Sequence, residues 1–248
     1  MKKLVVILLA LIAVGTAKAQ EFKVSKNTGR LELHIGKATI EGHNGNEIIF
    51  TLRDYEKDKD PRSEGLTSIN SLGLKDNTGM GLNVTENGNV VSVYNLKKNN
   101  SPDVKILVPK GIIVAFESQG VNGGTAVFKN MENEIEVSVQ YNSVELDNVT
   151  GPLTIKTIYG HVEARLGSNV KDPISIVSIY GYADVAIPLA TKANLRMETS
   201  YGEILVDPDF KIDFDSHTDN DRVSGKLNGG GVNIDMSCNY GKVYLRKK

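Results

Sequence analysis

Three carboxylates occupy one position of a repeated phrase, and their spacing is the first feature of this sequence that could support chemistry. The phrase is Tyr-Gly, or Tyr-Asn in its first copy, and the third residue after the Gly or Asn is Glu145, Glu163 and Asp184 in three consecutive copies. Such a row could bind a cation such as Ca²⁺, or act on a polysaccharide with His161 as the only nearby basic group. A row of acids facing solvent needs no ligand, because adjacent charges in water repel by only about 1 kcal/mol. We favour this solvated surface and predict no catalytic residue and no metal site.

A second outward row follows each Gly directly and is partly aromatic. It contains His161, Tyr182 and Glu203, with Ser143 and Lys242 at the same position of two other copies. A tyrosine beside polar groups suits a sugar or peptide ligand, although an ordinary protein surface would have the same composition. We take His161, Tyr182 and Glu203, together with the three acids of the first row, as candidate binding residues, and Tyr182 as the one to test.

The other reactive side chains form no recognisable site. The four histidines lack the spacing of a zinc site, and the Gly-rich turns carry no Lys-Ser/Thr phosphate loop. Cys238 is the single cysteine, so no internal disulfide can form, and its place in an apolar alternation predicts a buried, inert thiol. We predict no cofactor.

Five copies of the tyrosine phrase define the elements that position these rows. Their tyrosines are 18, 21, 21 and 39 residues apart, and the last gap is about two periods. A fixed period near 20 residues indicates a repeat architecture. The five phrases are Tyr141-Asn142, Tyr159-Gly160, Tyr180-Gly181, Tyr201-Gly202 and Tyr240-Gly241.

Period-two alternation surrounds each phrase. The residues six, four and two places before each tyrosine are apolar or small, as at Ile135, Val137 and Val139, and the residues between them are mostly polar. This pattern predicts a strand with one buried face, and a second short strand follows each Gly. We expect the Gly to turn the corner between the strands with a positive φ, which Asn142 would tolerate. The tyrosines should lie inside or at the edge of the corner, stacked in a column.

One coil of the repeat lacks the phrase, which accounts for the longest gap. Ile212, Phe214 and Ser216 fit the inward positions, so Thr218 stands where a tyrosine is expected. We predict a degenerate coil here, followed by a long polar loop over residues 219–231. Upstream, the strand patterns are less regular, and Glu86-Asn87-Gly88-Asn89 predicts a hairpin turn.

The first 19 residues have the composition of a signal peptide. Lys2 and Lys3 precede an apolar core at residues 4–14, and Ala17-Lys18-Ala19 fits a cleavage site. Removing Lys2, Lys3 and Lys18 would change the formal net charge from −1 to −4, a mild acidity that gives no support to nucleic-acid binding. No later segment is apolar and long enough to cross a membrane. We expect export to the periplasm, the outer cell surface or the medium.

Part of the sequence resembles a known family. The residues that carry the likeness are Val104-Lys105-Ile106-Leu107-Val108-Pro109, the repeated Gly corners, and Leu227-Asn228-Gly229-Gly230-Gly231 leading into residues 232–245. Over roughly residues 30–248 the chain looks like the exported bacterial β-strand-repeat proteins named putative adhesins, whose function is otherwise undefined. The resemblance implies a repetitive β fold and adhesion, and it supplies no catalytic residues.

Together these observations predict an all-β chain, a right-handed parallel β-solenoid of roughly 20-residue coils with an irregular β-rich N-terminal part. The predicted domains are a signal peptide at residues 1–19 and one solenoid domain at 20–248, with irregular strands over 20–102 and repeat coils over 103–248. We expect Arg246, Lys247 and Lys248 to protect an open sheet edge.

The predicted function is a non-enzymatic binding or adhesion module of the cell envelope, whose partner is a glycan or a protein and not nucleic acid. One alternative is a structural or assembly protein of the envelope. A more remote alternative is a polysaccharide-active enzyme.

Overall fold

The structure is a computed structural model that describes residues 20–53, 61–97, 101–121, 123–215 and 221–248. These residues form an all-β fold of two large, mostly parallel sheets, and the only helical segment within them is a 3-10 turn at Pro61–Ser63. No helix in these ranges has both the length and the apolar character needed to span a membrane. The predicted signal peptide at 1–19 lies outside the described residues and stays a prediction.

The strands are numbered β1 to β21 in chain order, and ten of those described form sheet 1. They are β1 (Glu21–Val24), β3 (Ala38–His43), β4 (Ile48–Leu52), β7 (Val104–Pro109), β9 (Thr125–Lys129), β11 (Ser143–Val149), β13 (Val162–Leu166), β15 (Ala183–Ile187), β17 (Ile204–Val206) and β21 (Val243–Lys247). The other eleven form sheet 2. They are β2 (Thr28–His34), β5 (Leu82–Asn87), β6 (Val90–Asn95), β8 (Gly111–Ser118), β10 (Ile135–Val139), β12 (Leu153–Thr157), β14 (Ile174–Ser178), β16 (Ala193–Thr199), β18 (Ile212–Phe214), β19 (Arg222–Leu227) and β20 (Val232–Cys238).

The unit of the fold is a strand of sheet 2 followed by a strand of sheet 1, which we call a rung. In five rungs the tyrosine phrase is the corner between the two strands: β10–β11, β12–β13, β14–β15, β16–β17 and β20–β21. Equivalent strands pair in parallel and in register, so that Leu153 lies between Ile135 and Ile174. The predicted ladders of equivalent residues are confirmed. The right-handed solenoid stays a prediction.

The rungs do not stack in the order in which they occur in the chain. In sheet 2, β20 lies between β14 and β16, and in sheet 1, β21 lies between β15 and β17. The rung that comes last in the chain therefore separates two rungs that precede it. Near the other end of the stack, the rung β2–β3 is likewise inserted between β6–β7 and β8–β9.

The core lies between the two sheets and follows the alternation in the sequence. In β10, β12 and β14 every inward residue is buried and the residues between them are half-buried or exposed, as predicted. The inward side chains of neighbouring rungs form one continuous apolar cluster that also includes the N-terminal strands. Each fully buried Val, Leu or Ile stabilises the fold by about 1.5–3 kcal/mol, so the interior holds the ladders together.

The predicted degenerate coil is wrong. Ile212–Phe214 forms β18, which pairs antiparallel with β19, and β19 in turn pairs antiparallel with β16. Phe214 is 53% exposed, so its period-two pattern reflects an edge strand and not an inward coil position. Residues 222–227, predicted as loop, are a strand, and Ser216 and Thr218 lie outside the described residues. The hairpin predicted at Glu86-Asn87-Gly88-Asn89 is confirmed by the antiparallel pair β5–β6.

The corner glycines are required for space, and the predicted positive φ is wrong. None of Gly160, Gly181, Gly202, Gly241 or Asn142 has a positive φ. An added Cβ would instead stand 1.7–2.0 Å from the carbonyl oxygen of the corner residue in the adjacent rung. Asn142 is the one non-glycine residue at these five corners, and its side chain lies against Gly123, where an added Cβ would stand 2.3 Å from Asn142 Oδ1.

A row of small polar side chains, two residues before the tyrosine in four of the five rungs, connects each of these rungs to the corner of the adjacent rung, and the fifth rung has Val139 at this position. Thr157 Oγ1 donates to Asn142 O at 3.2 Å and accepts from Gly160 N at 3.1 Å. Ser178 Oγ and Cys238 Sγ donate to the corner carbonyls of Gly160 and Gly181 at 3.1 and 3.0 Å. The Thr/Ser/Cys position of the repeat therefore satisfies buried backbone groups where the ladder bends. The predicted burial of Cys238 is confirmed, and desolvation raises the pKa of its thiol.

Candidate functional site

The five repeat tyrosines form one continuous stacked column. Consecutive ring centroids lie 4.8–5.1 Å apart, and neighbouring ring planes differ by 9–15°. Because the rungs stack out of chain order, the column follows the order Tyr141, Tyr159, Tyr180, Tyr240, Tyr201. The predicted column is confirmed.

The column lies on the surface, at the corner edge, and the expectation that it might lie inside is wrong. The exposed fraction of the five side chains runs from 40% at Tyr141 to 74% at Tyr201. Among the described residues, none donates to or accepts from the five phenolic hydroxyls. Tyr shares the parity of the inward positions, but the chain has already begun to turn at this residue, so its ring points away from the core.

A second row of side chains runs beside the column, one residue past each corner Gly. In spatial order it contains Ser143, His161, Tyr182, Lys242 and Glu203. The His161 and Tyr182 rings stack with centroids 4.6 Å apart, and Ser143 Oγ lies 3.0 Å from His161 Nδ1. Glu203 is separated from Tyr182 by the rung of Lys242 and forms an ion pair with Lys242 at 2.6 Å. Of the candidates in this row, His161 and Tyr182 are therefore in contact, and Glu203 stands apart.

Tyr182 is the most constrained side chain of the second row. Its hydroxyl donates a 2.6 Å hydrogen bond to Glu163 Oε1, and its ring meets Tyr244 edge to face at 6.1 Å. Desolvation, followed by the bond to the Glu163 carboxylate, raises the pKa of Tyr182 to about 12. The Tyr182 ring is thus held in place, and its hydroxyl is already hydrogen-bonded to Glu163.

The titration of Tyr182 gives a direct test of this arrangement. Folding favours its protonated phenol, so the stabilising contribution is fully present below the ordinary pKa of about 10 and is lost as the pH rises through about 12. We expect the near-ultraviolet phenolate absorbance of the folded protein to contain a late step near pH 12. Tyr182→Phe should remove that step, and Glu163→Gln should move it to lower pH. A late step that persists in Tyr182→Phe would contradict the assignment.

The acidic row is assembled as predicted, and two of its three members, Glu163 and Asp184, have separate partners. Glu145 pairs with Glu163 in the ladder, and Glu163 with Asp184. Glu163 accepts from Tyr182 and lies 4.0 Å from His161 Nε2, and both Asp184 oxygens accept from Arg246 Nε at 2.8 Å. In the part of the chain that the structure describes, no group of three His, Cys, Asp or Glu side chains converges as a metal site requires. The row is an open, partly neutralised surface.

Arg246 lies beside the acidic row, and the sequence patterns did not predict this position. It neutralises Asp184 and lies over the Tyr244 ring at 4.9 Å, 62 residues from its acidic partner in sequence.

The prediction that Arg246, Lys247 and Lys248 protect an open edge is wrong, because β21 is an interior strand between β15 and β17. Lys247 is paired with Asp209, and Lys248 Nζ donates to Leu166 O at 3.0 Å. The open edge of sheet 1 at this end is β17.

Two open depressions lie elsewhere on the surface. One, of about 250 Å³, lies on the outer face of β14, β20 and β16 beside Arg196, Glu198 and Asp235. The other, of about 420 Å³, is lined by His34, Asn95 and the turns between β2 and β3 and between β8 and β9. Neither contains a candidate binding residue from the sequence.

No family model and no curated protein matches the chain. Two solved structures are similar to it. One is a putative cell adhesion protein from Clostridium sporogenes, with 14% identity and a TM-score of 0.48 over 93% of this chain and 100% of that one. Another is a putative adhesin from Bacteroides fragilis, with 11% identity and a TM-score of 0.32 over 94% of this chain and 98% of that one. At these identities and scores the likeness assigns neither a family nor an activity to the chain.

Proposed function

We propose that this protein is a non-enzymatic, exported binding module of the cell envelope, and that it binds through the stacked outward side chains at the rung corners. The scaffold in this proposal is a right-handed β-solenoid, and the site of action is the periplasm, the outer cell surface or the medium. The partner is an envelope glycan or a protein. No catalytic residue, metal or cofactor is assigned.

The observation that carries the proposal is the exposed tyrosine column. Five aromatic side chains in register, with exposed fractions of 40–74%, form a larger aromatic surface than scattered single residues do. Tyrosine suits recognition because its ring is rigid and amphipathic, so it loses little conformational entropy when it binds. The interior of the fold already satisfies its own packing and corner hydrogen bonds. Because no described residue hydrogen-bonds the five phenolic hydroxyls of the column, these hydroxyls are free for a partner.

The test is binding of the purified protein to a broad panel of envelope glycans and matrix proteins, with and without calcium. We expect saturable binding to one class, weakened about tenfold or more by Tyr180→Ala and by Tyr182→Ala, as for aromatic side chains at the centre of an interface. Tyr94→Ala is the matched control, because Tyr94 stacks on His34 away from the column. A dependence on calcium would assign a role to Glu145, Glu163 and Asp184. If both column-side variants bind as well as wild type, the proposal is wrong.

Assembly of the envelope is the second candidate, and the open edge β17 favours it. This three-residue strand ends sheet 1 and carries Leu205, which is 42% exposed, while Tyr201 at the same rung is the most exposed ring of the column. An unpaired strand edge can add another chain. Sedimentation over a range of concentrations should then show self-association that Leu205→Lys weakens and Tyr182→Ala leaves unchanged. A monomer at all concentrations would exclude self-assembly.

The polysaccharide-active enzyme has the least structural support. Glu163 and His161 lie on an open ladder face, whereas acid and base catalysis needs groups held around a substrate in a cleft. Turnover of any polysaccharide that Glu163→Gln abolishes would support the enzyme alternative.

A further inference from the structure

The stacking of the tyrosine column determines which part of each ring a ligand can reach. Tyr159, Tyr180 and Tyr240 each have a neighbouring ring on both faces, at 4.8–5.1 Å, and still expose 51–55% of the side chain. The accessible part of these interior rings is therefore chiefly the edge and the hydroxyl. The column presents a straight row of phenolic hydroxyls, one per rung, and a partner meets it through hydrogen bonds and not through flat ring faces.

The spacing of this row selects among linear polymers. Four steps of 4.8–5.1 Å give a column roughly 20 Å long, set by the separation of the paired strands. An extended peptide advances about 3.3 Å per residue, so it meets a ring in register only at every third residue, once per two rungs, and successive matches fall on opposite faces of its strand. An extended β-1,4-linked glycan advances by close to one rung per sugar. Each sugar can then place its hydroxyls against one tyrosine along the whole column.

The charge of the surface points to a neutral polymer. The five phenols carry no charge, and Lys242, the one lysine in the row beside them, is paired with Glu203. A nucleic acid needs unpaired cations along its phosphates and free aromatic faces for its bases, and the interior of the column offers neither. A corner Gly separates the column from the second row in four of the five rungs, so backbone and not side chain lies between the two rows. A narrow chain can lie there without displacing a side chain.

We propose that the tyrosine column binds an extended, neutral β-1,4-linked glycan that runs parallel to the stack, with one sugar per rung and hydrogen bonds to the hydroxyls of Tyr141, Tyr159, Tyr180, Tyr240 and Tyr201. The His161–Tyr182 pair borders the same chain on its other side. This inference rests on the proposed binding function and names the ligand class of that site.

The experiment is titration calorimetry of the full-length protein with soluble β-1,4-linked oligosaccharides of glucose and of N-acetylglucosamine, two to six sugars long. Affinity should rise with each added sugar until about five, the number of rings. The combined variant Tyr159→Phe, Tyr180→Phe, Tyr240→Phe keeps the rings and removes three hydroxyls, and it should bind the longest oligosaccharide about tenfold or more weakly. Tyr94→Phe is the matched control and should bind as wild type does.

The other outcomes separate this inference from the proposed function. Affinity that is the same for two and six sugars, or the same for α-1,4-linked oligosaccharides, overturns the inference, as does wild-type binding by the triple Phe variant with an unchanged unfolding midpoint. Binding of another panel member that Tyr182→Ala abolishes keeps the binding function and overturns the glycan. Failure to bind any oligosaccharide or panel member overturns both.

Discussion

Replacing Gly181 by alanine is expected to destabilise the fold by about 3 kcal/mol, the upper range for a forced steric insertion into a packed interior. A Cβ at this position would stand 2.0 Å from Gly160 O and 2.7 Å from Gly160 C. Both atoms belong to the backbone of the adjacent rung, so a side-chain rotation cannot relieve the contact. The rungs have to move apart at this corner, and the flanking ladder hydrogen bonds lengthen with them.

Equilibrium urea unfolding measures this effect as a shift of the midpoint. Gly120→Ala is the matched control, because a Cβ there meets no atom within 4 Å and its φ is ordinary. The control should unfold near the wild-type midpoint, or slightly above it, since alanine reduces the entropy of the unfolded chain. Equal midpoints for Gly181→Ala and Gly120→Ala would show that the close approach of the corners does not require glycine.

Replacing Thr157 by valine is expected to cost about 2 kcal/mol, although the two side chains have nearly the same shape. Thr157 is fully buried, and its hydroxyl satisfies Asn142 O and Gly160 N at once. Valine leaves both backbone groups without a partner and out of reach of water, and each such group costs about 1–3 kcal/mol. We expect the corner to relax in part, so the loss of stability should be close to the lowest value that the two unsatisfied groups together would give.

Two further substitutions separate the hydroxyl from packing and from strand propensity. Thr157→Ser keeps the hydroxyl and should lose under about 1 kcal/mol, because Ser178 makes the equivalent bond in the next rung. Thr154→Val makes the same chemical change on the exposed face of the same strand and should leave the unfolding midpoint nearly unchanged. A Thr157→Val variant as stable as wild type would show that the hydroxyl row does not stabilise the corners.

The repeat, the strand parity and the tyrosine column were predictable because they depend on local spacing. Equivalent residues of parallel strands pair wherever one face is buried, so the alignment on tyrosine placed Glu145 beside Glu163 and His161 beside Tyr182. The sequence could not separate two reasons for glycine at the corner, since positive φ and close backbone approach select the same residue. The structure distinguishes them, because the φ of Gly181 is not positive and a Cβ added there would stand 2.0 Å from Gly160 O.

The order of the rungs was not predictable from the sequence. The contacts of the site that depend on this order were therefore not predictable either. Five rungs have nearly the same pattern of apolar residues, so each could pair with any other, and the pattern does not identify neighbours. Arg246 reaches Asp184 only because the rung β20–β21 is inserted next to β14–β15. The hairpin of β18 and β19 was missed for a related reason. Its alternation has the period of a coil strand, but its partner strands run antiparallel.

The inserted rung has a consequence for the time course of folding. During synthesis β14 to β17 emerge before β20 and β21, and Tyr180 and Tyr201 then belong to consecutive rungs with nothing between them. Their strands carry matching parity, so they can pair directly, and we expect any such pair to open before the later rung can enter. Distant pairings of this kind slow folding. Truncation of residues 228–248 would thus not trim an outer repeat, which repeat proteins commonly tolerate. It would remove an interior rung, so β16–β17 would lose its parallel neighbour β20–β21 and could keep its place in the stack only by pairing directly with β14–β15.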